Sequence, residues 1–163
     1  MLKINLLQLE NYPIFAQLQL EEALLRLSLE NWCITNYGTC DAIVMGLGCD
    51  ETKLLTPGKK WCPVIRRYSG GGCVLVDENT LFCSFLFQKN DLNFCFPGQV
   101  MRHMATFYQN ALKLEHWALR ENDFTINDLK CGGNAQYISS TACLQHTSFL
   151  WDFDLQKVKR ANI

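Results

Sequence analysis

The sequence predicts an α+β (mixed α/β) fold, an antiparallel-rich sheet with helices packed against it, and three observations carry that expectation. Two proline-opened stretches, at Pro13 and Pro97, place apolar residues at helical spacing. Short apolar runs separated by turn compositions lie close enough together to form hairpins. A length of 163 residues, 48% hydrophobic and 19% charged, suits one domain with its own core.

Taken in order, Pro13 opens a helix through about Leu29, with Ile14, Phe15, Leu18, Leu25 and Leu29 along its buried stripe. Ala42 to Met45 is a short buried strand ending in the turn Gly46-Leu47-Gly48, and Val64-Ile65 is a further extended piece. Cys73 to Val76 and Leu81 to Phe87, joined by Asp-Glu-Asn-Thr, read as an antiparallel hairpin. Pro97 starts a second helix whose apolar side is Val100, Met101, Met104, Phe107, Tyr108, Ala111 and Leu112. Phe124 to Ile126 and Leu129 to Cys131 flank Asn127-Asp128, a hairpin-turn composition. Gln136 to Ser139 and Thr147 to Phe153 complete the strands. With no internal repeat, low-complexity tract or linker, residues 1–163 read as a single domain.

The formal net charge of -1 and the pI near 6.3 provide no general attraction to nucleic acid or to an anionic membrane surface. Nine cysteines, with no C-x-x-C pair and no histidine at zinc-ligand spacing, argue against a structural metal and read as reduced, small hydrophobes. Met1 to Glu10 lacks the apolar core of a signal peptide and the Arg/Ser-rich pattern of a transit peptide, and no apolar run has membrane-spanning length. The expectation is a soluble, cytoplasmic protein.

Residues 66–77, Arg-Arg-Tyr-Ser-Gly-Gly-Gly-Cys-Val-Leu-Val-Asp, narrow the function most. Gly70, Gly71 and Gly72 carry a large entropic cost, which a chain usually keeps where backbone bends sharply or touches a ligand. Arg66 and Arg67 offer planar donor forks suited to carboxylate and phosphate oxygens. A Gly-rich turn with two solvated arginines is the bland alternative. The second constellation is Glu121 to Gln136, in which Lys130 follows the Asn127-Asp128 turn and precedes Gly132-Gly133. It reads as an anchor for a phosphate or carbonyl, or else as a solvent-facing edge lysine. His146 invites a general-base reading but has no adjacent nucleophile in the sequence, which leaves it a loop or strand-start histidine. Cys131 and Cys143 are either nucleophiles or inert buried thiols, and Asp77 reads as a turn residue.

Three motifs in order resemble the lipoate-protein ligase branch of the biotin/lipoate ligase family: Arg66-Arg67-x-x-Gly70-Gly71-Gly72-x-Val74-x-x-Asp77; Asn122-Asp123 with Lys130-x-Gly132-x-Asn134-Ala135-Gln136; and His146-Thr147-x-x-Leu150. Glu21 to Arg26 is similar to the family's first helix and Ile43 to Gly46 to its early strand. The resemblance implies a fold related to the catalytic core of class II aminoacyl-tRNA synthetases. It also implies a reaction in which lipoate and ATP give lipoyl-adenylate and a lysine of an acceptor protein then takes the acyl group. Lys130 is implied as the catalytic residue, bridging the acyl carbonyl and the α-phosphate. Arg66, Arg67, Gly70, Gly71, Gly72, Gly132, Asn134, Ala135 and His146 are implied on the lipoate side. Asn122, Asp123 and Lys130 are implied on the nucleotide side, with Asp123 as a Mg²⁺ ligand. The implied partners are lipoyl domains of 2-oxoacid dehydrogenase subunits and the glycine-cleavage carrier protein. Family members continue past the end of this sequence, so a shortened catalytic domain is expected. Cys131-Gly132-Gly133 replaces an apolar β-branched residue followed by Ser-Gly. An octanoyl or lipoyl transferase working through a cysteine thioester, and a noncatalytic protein that binds lipoate or a lipoyl domain, are the alternatives.

Overall fold

The computed structural model describes residues 2–54, 61–93, 96–152 and 154–161. The chain begins with a strand–helix–strand unit: β1 (Asn5–Glu10), α1 (Ile14–Leu27) and β2 (Trp32–Tyr37), with β1 and β2 paired in parallel. It continues through β3 (Ala42–Met45), a single-turn α2 (Glu51–Leu54), β4 (Val64–Arg66), β5 (Cys73–Val76) and β6 (Thr80–Gln88). Then follow α3 (Pro97–Leu112), β7 (Trp117–Arg120), β8 (Asp123–Ile126), β9 (Leu129–Ile138), β10 (Ala142–Leu150) and α4 (Leu155–Ala161). Seven strands form one sheet in the order β1-β2-β6-β10-β9-β8-β7, and three form a smaller sheet in the order β4-β3-β5. Apart from β1–β2 and β3–β4, all pairs are antiparallel, in agreement with the predicted class.

The Asn127-Asp128 hairpin forms as its composition predicts. Both residues have positive φ, 48° and 68°, as a two-residue type I′ turn requires. The predicted hairpin of Cys73–Val76 with Leu81–Phe87 does not form: β5 pairs with β3, whereas β6 pairs with β2 and β10. The connection is a tight turn rather than a register-keeping loop. Asp77 accepts from the Asn79 amide through Oδ1 at 2.9 Å and donates its own amide to Thr80 Oγ1 at 3.1 Å. This redirects the chain from the small sheet into the large one. Lys157 of α4 locks the corner by donating to Asp41, Asp77 and Glu78 at 2.9 to 3.1 Å. Burial works against the Lys157 charge, but the three carboxylates outweigh it and hold its pKa above the usual lysine range.

α1 is shorter than predicted, and its buried face is not the expected stripe. Ile14, Leu18 and Leu25 are inside, Phe15 and Leu29 are exposed, and Gln17 and Glu21 are fully buried. The helix starts where the Ile14 amide donates to Thr39 Oγ1, a cap supplied from another segment. α3 buries Val100, Met101, Met104 and Tyr108 and leaves Phe107 and Leu112 exposed. It packs on one face of the large sheet around an aromatic cluster in which Tyr108 meets Phe149 edge-on, with centroids 4.9 Å apart. α1 covers the opposite face, where Ile14, Leu18 and Phe82 meet Ala42, Val44 and Val76 of the small sheet. Each such side chain, once buried, contributes on the order of 1.5–3 kcal/mol. The sequence predicts none of β1, β2, α2, β7 and α4. Gln136–Ser139 is mainly the continuation of β9, and Phe153 lies outside the described residues. All eight described cysteines are free thiols. Among the described residues no helix is long and apolar enough to cross a membrane.

Candidate active site

The two sheets splay apart beneath the start of α1 and leave a cavity of about 100 Å³. Its apolar walls are Ile14 of α1, Val44, Val74 and Val76 of the small sheet, and Phe82 and Leu150 of the large one. Its polar residues are Arg67, Asp123, Lys130, Asn134, His146 and Ser148. An apolar slot with a few convergent polar groups suits a small ligand bearing an apolar tail and a charged head.

Lys130 and Asp123 come together through the β8–β9 pairing. A register shift between Phe124 and Thr125 lets Lys130 lean back across the hairpin, and its Nζ lies 2.8 Å from Asp123 Oδ2. At Lys130 β9 is paired with Thr125 of β8, the pairing with β10 beginning at Gly132, so the lysine stands at an open strand end with its ammonium turned onto Asp123. Both members of the pair are partly exposed, so a ligand anion can compete for the ammonium. A Cβ on Gly133 would sit 3.6 and 3.7 Å from Lys130 Cε and Nζ, in ordinary van der Waals contact, which places the lysine stem over this strand.

The glycine loop is held from within. Arg67 is buried, and its guanidinium donates to the Gly70 carbonyl at 2.8 and 3.2 Å, to that of Gly72 at 3.0 Å and to that of Val44 at 3.4 Å. Burial pushes the Arg67 pKa down. Gly71 has φ 101°, and its carbonyl lies 2.0 Å from where a Cβ on Gly46 would stand, so two glycines are needed for this close approach. Gly72 lines the cavity, while Gly70 and Gly71 stand behind it. Arg66 also lies outside the cavity, where it donates to the carbonyls of Gly46, Leu47 and Cys49. Both arginines thus spend their donors on backbone in this structure.

Among the other predicted residues, Ala135 lines the cavity beside His146, its cross-strand partner. The Asn134 side chain takes part in a network on the α3 side: its Oδ1 accepts from Gln145 and Thr147, and its Nδ2 donates to the Asn122 carbonyl at 2.9 Å. That bond tethers the segment carrying Asp123. Gly132 faces the same side, where a Cβ would come within 3.1 Å of the Phe149 ring. Cys131 donates to the Phe124 carbonyl, and neither Cys131 nor the fully buried Cys143 reaches the cavity. Cys73 does reach it, with burial pushing its thiol pKa up.

His146 is central in β10 and buried, not a loop or strand-start residue. Its Nδ1 lies 3.1 Å from both carboxylate oxygens of Glu21 and 2.9 Å from Ser84 Oγ. Its Nε2 lies 3.3 Å from Ser148 Oγ. Glu21 Oε1 also accepts from Ser84 at 2.7 Å and from Gln17 at 2.8 Å, and Gln17 in turn accepts from Asn36 at 2.9 Å. Burial alone would raise the Glu21 pKa. His146, Ser84 and Gln17 together outweigh that penalty and hold it below the ordinary carboxylate value. Sequence reasoning missed this group. Its signal was two polar residues, Gln17 and Glu21, spaced four apart inside an otherwise apolar stripe.

The sequence profile described as the lipoyl protein ligase A/B catalytic domain matches residues 13–163. A Plasmodium falciparum protein named inactive lipoate–protein ligase 2 is 22% identical over 96% of this chain and 57% of its own length. A bi-partite lipoate protein ligase from Thermoplasma acidophilum, described with its E2 lipoyl domain, superposes with a TM-score of 0.82 at 23% identity, over 95% of this chain and 64% of that one. A lipoate-protein ligase A bound with ATP superposes with a TM-score of 0.80 at 20% identity, over 98% of this chain and 71% of that one. These superpositions agree in fold with the two-sheet arrangement around the cavity. The chain spans less than two thirds of the Plasmodium and Thermoplasma proteins.

Proposed function

The chain belongs to the lipoyl protein ligase A/B catalytic domain family, and on that premise we propose that it activates lipoate with ATP and transfers the acyl group to a lysine of a lipoyl domain. The observation that carries this reading is the Lys130–Asp123 pair at an apolar slot walled by the Arg67-stapled glycine loop. The acid's hydrocarbon would lie along Val44, Val74, Val76 and Phe82, with its carboxylate toward Lys130. Joining a carboxylate to an α-phosphate brings two anions together, a repulsion of about 4 kcal/mol at 4 Å with an effective dielectric of 20. A bridging ammonium offsets that repulsion and stabilises the charge that develops in transfer. Asp123 would release Lys130 to the two anions and turn toward the nucleotide.

The donor set fits a Mg²⁺ that arrives with the nucleotide, since Mg²⁺ commonly takes one or two carboxylates plus phosphate oxygens and water. Asp123 supplies one such carboxylate. Among the described residues the only cluster of three candidate ligands is Asp41, Asp77 and Glu78, which Lys157 already fills. Bound at Asp123, the ion would screen the phosphate charge.

Pyrophosphate release with mass detection of lipoyl-adenylate tests the reading in purified protein given ATP, Mg²⁺ and lipoate. Lys130→Ala is expected to lower adenylate formation by about 10²–10³-fold. A folded wild-type sample that forms no adenylate would sink the activating step. The second reading, a protein that binds lipoate without turnover, is supported by the designation of the Plasmodium relative as inactive. Calorimetric lipoate binding without pyrophosphate release would favour it. The cysteine-thioester route draws no support from Cys131 or Cys143, which face the opposite side of the sheet.

A further inference from the structure

We propose that Ser148, with His146 as its general base and Glu21 orienting that base, forms an acyl-serine in this pocket, giving the chain an acyl-transfer activity that does not require ATP. The parts of a serine nucleophile are all present. Glu21 is fully buried and faces Nδ1 of His146, and Nε2 of the same ring faces Ser148 Oγ, 3.3 Å away, so a ring holding its proton on Nδ1 would present the Nε2 lone pair to the hydroxyl. That separation is ordinary for a base and nucleophile without substrate. The carboxylate is itself fixed, by Ser84 at 2.7 Å and Gln17 at 2.8 Å, so the base has one orientation.

Position in the pocket supplies the rest. His146 and Ser148, two residues apart on β10, point to the same face, and both line the cavity. Ser148 pairs across the strands with Gly133, the position over which Lys130 Nζ lies. A carbonyl held toward Lys130 therefore falls within reach of Ser148 Oγ, with the ammonium available to the oxyanion. On the other side of Ser148, Phe82 and Leu150 provide apolar wall for an acyl chain.

The donor would be an activated medium-chain acyl group, a thioester or an acyl-adenylate. Ser148 Oγ bonds to the carbonyl carbon and passes its proton to His146 Nε2. The carbonyl carbon's bond to the thioester sulfur, or to the AMP oxygen, breaks, and His146 returns the proton to the leaving thiolate or releases it to solvent. An amine or water then attacks the acyl-serine, its proton passing through His146 to Ser148 Oγ. Atoms and charge balance with no oxidant or reductant. Of the ligase reading, the proposal needs only that the cavity holds an acyl chain.

The test uses the whole chain without ATP, with p-nitrophenyl octanoate as donor and an alkyl fluorophosphonate as trap, followed by peptide mass mapping. The expected result is one octanoyl or phosphonyl adduct on Ser148, blocked by excess octanoate. Ser148→Ala should keep its melting temperature and octanoate binding while losing the adduct, with p-nitrophenol release falling by about 10²-fold or more. Ser148→Cys should restore acylation. Octanoate bound without any Ser148 adduct would overturn the nucleophile and leave the ligase reading standing. Labelling confined to another serine would do the same. A folded protein that binds neither octanoate nor lipoate would remove both.

Discussion

Replacing Arg67 by lysine separates a loop staple from a ligand clamp. The guanidinium's two short bonds run to Gly70 and Gly72, at 2.8 and 3.0 Å, and the contacts at 3.2 and 3.4 Å are weaker. With a charged donor each short bond contributes about 1.5 kcal/mol at the low end, so losing both costs about 3 kcal/mol. Lysine keeps the charge, but its point ammonium can reach one carbonyl well rather than two in fork geometry. Arg67→Lys should then cost about 1.5 kcal/mol, a fall of about 3–6 °C in melting temperature for a chain of this size. Arg67→Met should cost about twice as much. Because Gly72 lines the cavity, octanoate affinity measured by calorimetry should weaken together with stability, not by itself. The reasoning would be refuted if Arg67→Lys melted within about 1 °C of wild type yet lost octanoate binding tenfold or more. That pattern would mean that the guanidinium grips the ligand and that its bonds to the loop contribute nothing.

The same loop predicts a contrast between glycines. Gly46→Ala puts a Cβ 2.0 Å from the Gly71 carbonyl and should cost several kcal/mol in urea unfolding, while Gly70→Ala meets nothing within 4 Å and should stay within about 0.5 kcal/mol of wild type. Glu21 supplies a prediction for acid. Its folded pKa lies below its ordinary value of 4.5, so it contributes stability that is fully present above that value and is lost as pH falls through the folded pKa. Glu21→Gln, which breaks a buried charged group's bonding pattern, should cost about 3 kcal/mol at neutral pH. In denaturant melts taken from pH 7 downward, the gap between wild type and variant should close below about pH 4.5; a gap that stayed constant would contradict the assignment.

Where one stretch of chain determines its own geometry, the sequence is a sufficient guide. Pro97 starts α3 at the predicted residue, and Asn127-Asp128 turns β8 into β9 because both residues tolerate positive φ. Partnering is different. Cys73–Val76 and Leu81–Phe87 look like the arms of one hairpin, and only the side-chain bonds of Asp77 and Thr80, with the claim that β3 has on β5, send them to separate sheets. The candidate site divides along the same line. Lys130 and the glycine loop are visible as motifs, yet the sequence cannot tell that Arg67 turns back onto its own loop. Gln17 and Glu21 interrupt an apolar stripe, and periodicity alone reads such residues as surface. Their burial makes sense only once His146, 125 residues further along, arrives to bond with the carboxylate. His146 has no nucleophile adjacent to it in the sequence. On a strand, the residue that shares its face is two positions on, and that residue is Ser148.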